Sequence, residues 1–170
     1  ENSKNEIIET FGVINKHYLA LNKFAYWWKY KRASFTVAHD IYWNEIHEGQ
    51  KNRIVIFQNN AKFVFIVSDL IKIIHNALCK NWDEMVGCIG EAPVNPYNKQ
   101  PFQKYHLYNL YFHMRFNMSI VIPEFIHTWF LHDFHLSLFC MKYEKFLLRM
   151  GIRHFISNCE CETTIYKDIC

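Results

Sequence analysis

Proline is scarce in this chain and unevenly placed: all four, Pro93, Pro96, Pro101 and Pro123, fall in its middle. Residues 1 to 92 and 124 to 170 therefore lack the strongest helix breaker, and both ends are free to be helical. Glycine is rare too, with 5 in 170 residues, and no glycine-rich phosphate loop, G-x-S-x-G elbow or H-E-x-x-H motif is present. Long apolar runs are missing. The longest charge-free run, Tyr105 to Met114, includes His106, Asn109 and His113, whereas a transmembrane helix needs about 18 predominantly apolar residues. No transmembrane segment is expected. Neither sign of charge dominates, since 19 basic and 16 acidic residues leave a net charge of +3, too mild for a typical nucleic-acid-binding domain. The 6 cysteines, at 79, 88, 140, 159, 161 and 170, are sparse and irregular, unlike the dense framework of a small secreted scaffold. Reduced thiols are expected, with Cys159 and Cys161 as the exception. Glu1 opens the chain without an apolar signal core, which gives no support for secretion and leaves targeting open.

What is present is apolar and aromatic. Hydrophobic residues make up 51% and charged residues 21%, well outside the disordered regime. Aromatics reach 18%, an excess that favours buried cores and protein interfaces. Ser3 and Glu6 have the spacing of a capping box, and Ile7, Phe11, Ile14, Tyr18, Leu21, Ala25 and Trp28 then recur at alternating spacings of four and three, which predicts one long helix. A coiled-coil seam and a long helix laid across a core both produce such a stripe; in a domain of this length the second is the commoner cause. Phe35, Ala38, Tyr42 and Ile46, ended by Gly49, suggest a second helix.

The period then changes. "RIVIFQ" and "AKFVFIV" flank Asn59 and Asn60, and asparagine tolerates the left-handed conformation that a two-residue hairpin turn demands. Ser68 caps a helix over "DLIKIIHNALCK", with Asp69 in its first turn. Residues 81 to 103 hold Gly87, Gly90 and three prolines and form the longest irregular connection. Beyond it, Leu107, Leu110, Tyr111 and Met114 mark one helix face while Tyr105, Tyr108 and Phe112 cover another, the pattern of a helix buried on two sides. Pro123 opens the next helix, "PEFIHTWFLHDF". Ser137 is placed to cap the last one, with Gly151 as its stop and "RHFI" as a short strand or turn after it.

Few constellations carry chemistry. His132 and His135 are three residues apart with His127 upstream, and read as helix histidines more readily than as metal ligands. Cys159 and Cys161, with His154 and Cys170 nearby, supply only one thiol pair, where a structural zinc site requires two. In "NKFAYWWKYKR", residues 22 to 32, Lys23, Lys29, Lys31 and Arg32 interleave with Trp27, Trp28 and other rings. That mixture suits a helix end with a solvated rim, a protein interface, or nucleic acid or a lipid surface. No catalytic residue, metal ligand or cofactor is assigned, and the chain is not expected to be an enzyme.

The order "IVIFQNNAKFVFIVSDLIKIIHNAL", "NPYNKQPF", "LYNLYF", "PEFIHTWFLHDFHLSLF" and "LLRMGIRHFI" resembles a group of uncharacterised proteins of giant and other nucleocytoplasmic large DNA viruses. The likeness covers about residues 53 to 156, and its specific part is Asn95-Pro96-Tyr97, then Pro101-Phe102, then Leu107-Tyr108-Asn109. Gln103 and Lys104 depart from it, standing where a Ser or Asn helix cap is expected. The resemblance implies a viral setting and a virion or capsid-associated role, and brings no catalytic residue with it.

The fold expected is mostly α: a single compact helical domain over residues 1–156 with a long N-terminal helix 4–31 and one small β-hairpin at about residues 53–67, followed by a peripheral tail 157–170. The function expected is that of a non-enzymatic structural protein of a large DNA virus, a minor capsid protein that bridges coat subunits. The partner-binding residues are Trp27, Trp28, Lys29, Lys31 and Arg32 on the first helix, and Asn95, Pro96, Tyr97, Pro101, Phe102 and Tyr108 around a proline-stiffened elbow. The elbow either anchors core or docks a partner. The partners implied are the major capsid protein or other minor capsid proteins, and the location is the virion and the virus factory in the host cytoplasm. The alternative is a viral regulatory module that binds nucleic acid through the basic aromatic cluster.

Overall fold

A computed structural model describes residues 2–37, 39–40, 42–79, 82–83, 87–88 and 90–167, with side chains described for 3–37, 39–40, 42–79 and 90–157. The fold is mostly α with a small β element, as the sequence predicts. The chain divides into two units, one of Glu1–Ala38 and Val55–Val64, the other of His39–Ile54 and Phe65–Cys170. Among the described residues no helix is long and apolar enough to cross a membrane.

In the first unit, helix α1 runs Asn2–Arg32 without a break. Gly12 sits in its interior with nothing within 4 Å of a Cβ built there. Because the helix already includes Asn2, Ser3 lies inside the first turn instead of capping it. Lys29, Lys31 and Arg32 fill the last turn, where the helix dipole favours cations. Strand β1, Phe35–Val37, follows directly. Strands β2, Arg53–Gln58, and β3, Ala61–Ile66, are joined through Asn59 and Asn60, whose φ values of 50° and 60° are both left-handed. This is the expected hairpin, closed by the turn chemistry of its two asparagines. The sheet order is β1-β3-β2, and β1 lies parallel to β3 with Phe35 opposite Lys62. Lys62 is buried, yet its ammonium rests 4.5 Å from the Tyr30 ring centre and 4.9 Å from that of Phe35, so ring faces replace some of the water it loses.

The second helix expected over Phe35–Ile46 does not form. Phe35–Val37 is strand, and Asp40 Oδ1 accepts from the backbone N–H of both Tyr42 and Asn44 at 2.8 Å. Those are donors a helix would have used, and a short carboxylate side chain captures them locally. Trp43, at φ 65°, completes the turn.

The second unit begins with α2, Val67–Cys79, whose buried Val67, Leu70, Ile74 and Leu78 recur at three and four residues. The two-residue strands β4, Trp82–Asp83, and β5, Gly87–Cys88, pair antiparallel. After the elbow come α3, Lys104–Phe112, and a π-helical segment, His113–Met118, ended by Ser119 at φ 52°. Helices α4, Glu124–Phe130, α5, Leu136–Lys142, and α6, Glu144–Lys167, complete the chain. Helix α2 packs on α6, α3 on α4, and α5 on α6.

Four local expectations change here. Helix α3 buries Leu107, Leu110 and Tyr111 as predicted, but Tyr105 and Phe112 stay exposed, so it is buried on one side. His135, not Ser137, caps α5: its Nδ1 accepts from Leu138 N at 3.4 Å. The "PEFIHTWFLHDF" helix stops at Phe130, and Asp133 and Phe134, at φ 52° and 50°, turn the chain, so His132 and His135 do not share a helix. Gly151 does not stop α6. An interior glycine costs about 1 kcal/mol against alanine, which the contacts of buried Leu147 on one side and of His154 against the His75 ring on the other offset.

Candidate protein-interaction surface

The apolar stripe of α1 is not core. Ile7, Phe11, Ile14, Tyr18 and Leu21 are 60–68% exposed and Trp28 is 46% exposed. The helix is held within its unit from other positions: the Tyr26 and Tyr30 rings meet the edge of Phe57 at 5.5 and 5.8 Å. Those two residues are not members of the stripe, which explains why it is left uncovered. At the helix end Lys31 lies 4.1 Å over Trp27 and Arg32 4.0 Å over Trp28, each one turn along the same helix. The cations thus lie flat on indole faces, and both rings keep about half their surface in water. Contiguous apolar exposure on this scale is what an interaction surface looks like before its partner arrives.

The elbow residues divide into buried and exposed. Asn95 is fully buried, and its Oδ1 accepts from Tyr97 N at 3.0 Å while its backbone N–H donates to Gln100 O at 2.8 Å. Lys99 N returns a bond to Asn95 O at 2.8 Å, and Phe102 N donates to Pro93 O at 2.9 Å. The loop therefore satisfies its own backbone. Phe102 is buried with its ring 6.2 Å from Phe65, and Tyr97, 40% exposed, lies 5.5 Å from the same ring. Asn95 and Phe102 hold the loop; Tyr97, with Val94 beside it, is the part that faces outward. Gln103, despite not being Ser or Asn, stands at the N-cap of α3, where its backbone N–H donates to His106 Nδ1 at 3.1 Å.

Tyr108 leads to a residue the sequence reading passed over. Its hydroxyl donates to Asp133 Oδ1 at 2.5 Å, while Lys104 Nζ pairs with Oδ2 at 2.6 Å. The Lys104 ammonium, then the Tyr108 hydroxyl, hold the Asp133 carboxyl below its usual 3.8, and the bond to Asp133 pushes the Tyr108 phenol above its usual 10.0. A lowered carboxyl pKa contributes stability above the unfolded value and loses it as pH falls through the folded one. An Asp133→Asn variant keeps a residue that tolerates positive φ. Its melting temperature is expected to lie slightly below that of the parent at pH 6, and the gap to begin narrowing only as pH falls below about 3.8, as read by circular dichroism melts; a constant gap would show that the carboxylate charge is not responsible. The only signal in the sequence was Asp133 interrupting an otherwise apolar helical period.

Three further histidines have structural partners. His127 Nδ1 bonds the Tyr111 hydroxyl at 2.9 Å. His132 Nδ1 donates to Thr128 O at 3.0 Å and its Nε2 accepts from Lys142 at 3.1 Å. His113 Nε2 donates to Lys51 O and its Nδ1 accepts from Asn117, both at 2.9 Å. A cleft of about 600 Å³ between α2, α4 and α6 is walled by His75, Glu124, Phe125, Arg149, Arg153 and His154. Burial lowers the pKa of His75, and the nearby His154 lowers it further. Cys79 Sγ lies 3.8 Å from His75 Nε2 and 3.9 Å from Nδ1. Burial pushes the Cys140 thiol up, which disfavours the thiolate. Among the described residues no group of three His, Cys, Asp or Glu side chains is placed to hold a metal ion. The side chains of Cys159 and Cys161, and all of Cys170, lie outside the described residues.

The structure thus gathers Trp27, Trp28, Lys29, Lys31 and Arg32 on one helix end, and Asn95, Pro96, Tyr97, Pro101 and Phe102 in one closed loop, with Tyr108 on the following helix. The exposed length of α1 is the larger surface. No protein-family model, curated protein or solved structure matches this chain.

Proposed function

We propose that the protein is a non-enzymatic structural protein of a large DNA virus, a virion component that bridges coat subunits and has major or minor capsid proteins as partners. The observation that carries this reading is the uncovered apolar face of α1, which runs nearly the whole of a helix spanning Asn2–Arg32. Exposed rings and aliphatics in such an array cost solubility unless a partner covers them. The resemblance of residues 53 to 156 to proteins of giant viruses supplies the setting. His113, His127 and His132 are tied into local hydrogen bonds, which gives each a structural use. In this reading the protein is made in the virus factory and ends in the particle. Mass spectrometry of purified particles, with chemical cross-linking of neighbours, is expected to find it in stoichiometric amount and to join the lysines of α1 to coat proteins; its absence from particles would remove the proposal.

One observation favours a second reading. Lys31 and Arg32 stacked on half-exposed Trp27 and Trp28 combine cations and ring faces in the way single-stranded nucleic-acid surfaces do. A regulatory module of that kind would bind with steep salt dependence. Binding to DNA and RNA unchanged by replacing Lys29, Lys31 and Arg32 with alanine would discard it.

A further inference from the structure

We propose that the cleft between α2, α4 and α6 binds a small phosphate monoester that carries a flat ring, with the guanidinium groups of Arg149 and Arg153 on the phosphate. The site lies wholly in the second unit and is independent of what covers α1. Its volume of about 600 Å³ is in the range of small-ligand pockets. Arg149 and Arg153 are four residues apart on α6, which sets them on one helix face, and both line the cleft. Among the described residues no carboxylate pairs with either guanidinium, and no hydrogen bond engages it. Two cations one turn apart repel each other, and an anion between them removes that cost. Phosphate suits the pair, because each planar guanidinium can donate two parallel bonds to its oxygens.

The other walls describe the body of the ligand. His75 of α2 meets two rings edge-on, Phe125 at 5.6 Å and His154 at 5.2 Å. Burial lowers its pKa, so at neutral pH it presents an uncharged aromatic surface on which a ligand ring can pack. Glu124 is the one acid among the described wall residues. Its carboxylate opposes a bare anion and accepts from a hydroxyl or amino group, so it favours a ligand with such a donor away from its phosphate. Phosphate, ring and hydroxyl donors together are the groups of a nucleoside monophosphate; a simple aryl phosphate has the first two. Lys145, one turn before Arg149 on α6, does not line the cleft, which separates a site for one phosphate from a basic stripe running along the helix.

Isothermal titration calorimetry of the full chain tests this with adenosine monophosphate, phenyl phosphate, inorganic phosphate, adenosine and phenol. The two esters are expected to bind saturably and more tightly than inorganic phosphate, and adenosine and phenol to show no binding at the same concentrations. Arg149→Ala/Arg153→Ala should weaken phenyl phosphate by about tenfold or more, since it removes both charge-assisted contacts, while Lys145→Ala leaves binding unchanged. Both arginines are exposed, so the melting curve of the double variant should match the parent. Arg149→Lys/Arg153→Lys, which keeps the charge without the planar fork, should bind between the two. Tighter binding of adenosine monophosphate than of phenyl phosphate identifies the nucleotide as the source, and Glu124→Gln should then narrow the gap; equal or weaker binding identifies the simple aryl ester. No saturable binding of either ester at millimolar concentration overturns the inference. So do esters that bind no better than inorganic phosphate, binding that ignores the double alanine variant, or binding that falls equally with Lys145→Ala. None of these results depends on whether the protein is found in particles, so the proposed function stands or falls separately.

Discussion

Phe139→Ala is expected to cost about 3–5 kcal/mol of unfolding free energy, the range for removing a buried aromatic ring whose cavity cannot collapse. Phe139 on α5 has no exposed surface, and its ring lies 6.0 Å from Trp129 and 5.5 Å from Tyr143. Trp129 in turn meets Phe134 edge-on at 5.3 Å, Phe134 meets Tyr108 at 5.1 Å, and Tyr111 stacks on Phe130 at 3.8 Å with the planes 5° apart. This ring network spans α3, α4, the turn after it, α5 and its C-cap Tyr143. Large flat side chains have few ways to refill a gap among themselves, so a hole at Phe139 is left open and each neighbour loses contacts. Urea denaturation followed by tryptophan fluorescence should show a midpoint lowered by roughly 1–3 M, and Phe139→Leu a smaller loss. A midpoint within experimental scatter of the parent would mean the ring is not packed as described. Total stabilities of about 5–15 kcal/mol leave little margin for such a change.

The second large effect is expected at the elbow. Asn95→Ala removes the acceptor for Tyr97 N in a residue with no exposed surface, and a partly buried N–H left without its partner costs about 1–3 kcal/mol. Asn95→Asp should be worse, because a carboxylate there is stripped of water. Thermal melts should rank the parent above Ala and Ala above Asp. Limited proteolysis should open a new cut between residues 95 and 101 in both variants, since the Gln100 and Lys99 bonds to the Asn95 backbone hold that loop closed. If Asp melts with the parent, the side chain faces water and the elbow is not the anchored loop described above.

Much of the fold was readable from local chemistry. Asn59-Asn60 between two β-branched runs gives a hairpin because few other residue pairs tolerate two successive left-handed conformations cheaply. The apolar spacing of Leu70, Ile74 and Leu78 gives α2, although the helix begins at Val67, so Ser68 lies inside its first turn instead of capping it. Asn95-Pro96 and Pro101 give a closed loop because side chain and ring restrict the backbone at those very residues. The errors also have local causes. Residues 35 to 46 have a helix-like spacing of apolar side chains, but Asp40 competes for the backbone donors, and the pattern of a period does not register that competition. Gly151 has the composition of a stop, yet a stop by glycine needs a left-handed residue there, and the helix continues through it. Of the site residues, Tyr108 was visible as an aromatic after the elbow, whereas its partner Asp133 is 25 positions away in sequence, a separation that only the fold closes.

By itself the sequence determined the long first helix, the helix after the hairpin, where the hairpin turns and how the elbow closes, since these depend on dihedral preferences, turn residues and the 3.6 or 2 residue period of apolar side chains within a few positions. Only the tertiary structure decided which apolar faces are covered. The α1 stripe and the α3 face look alike as spacings, yet Leu110 of α3 is buried and Leu21 of α1 stands in water. Burial is settled by what other surface the chain brings near, and no local period records that.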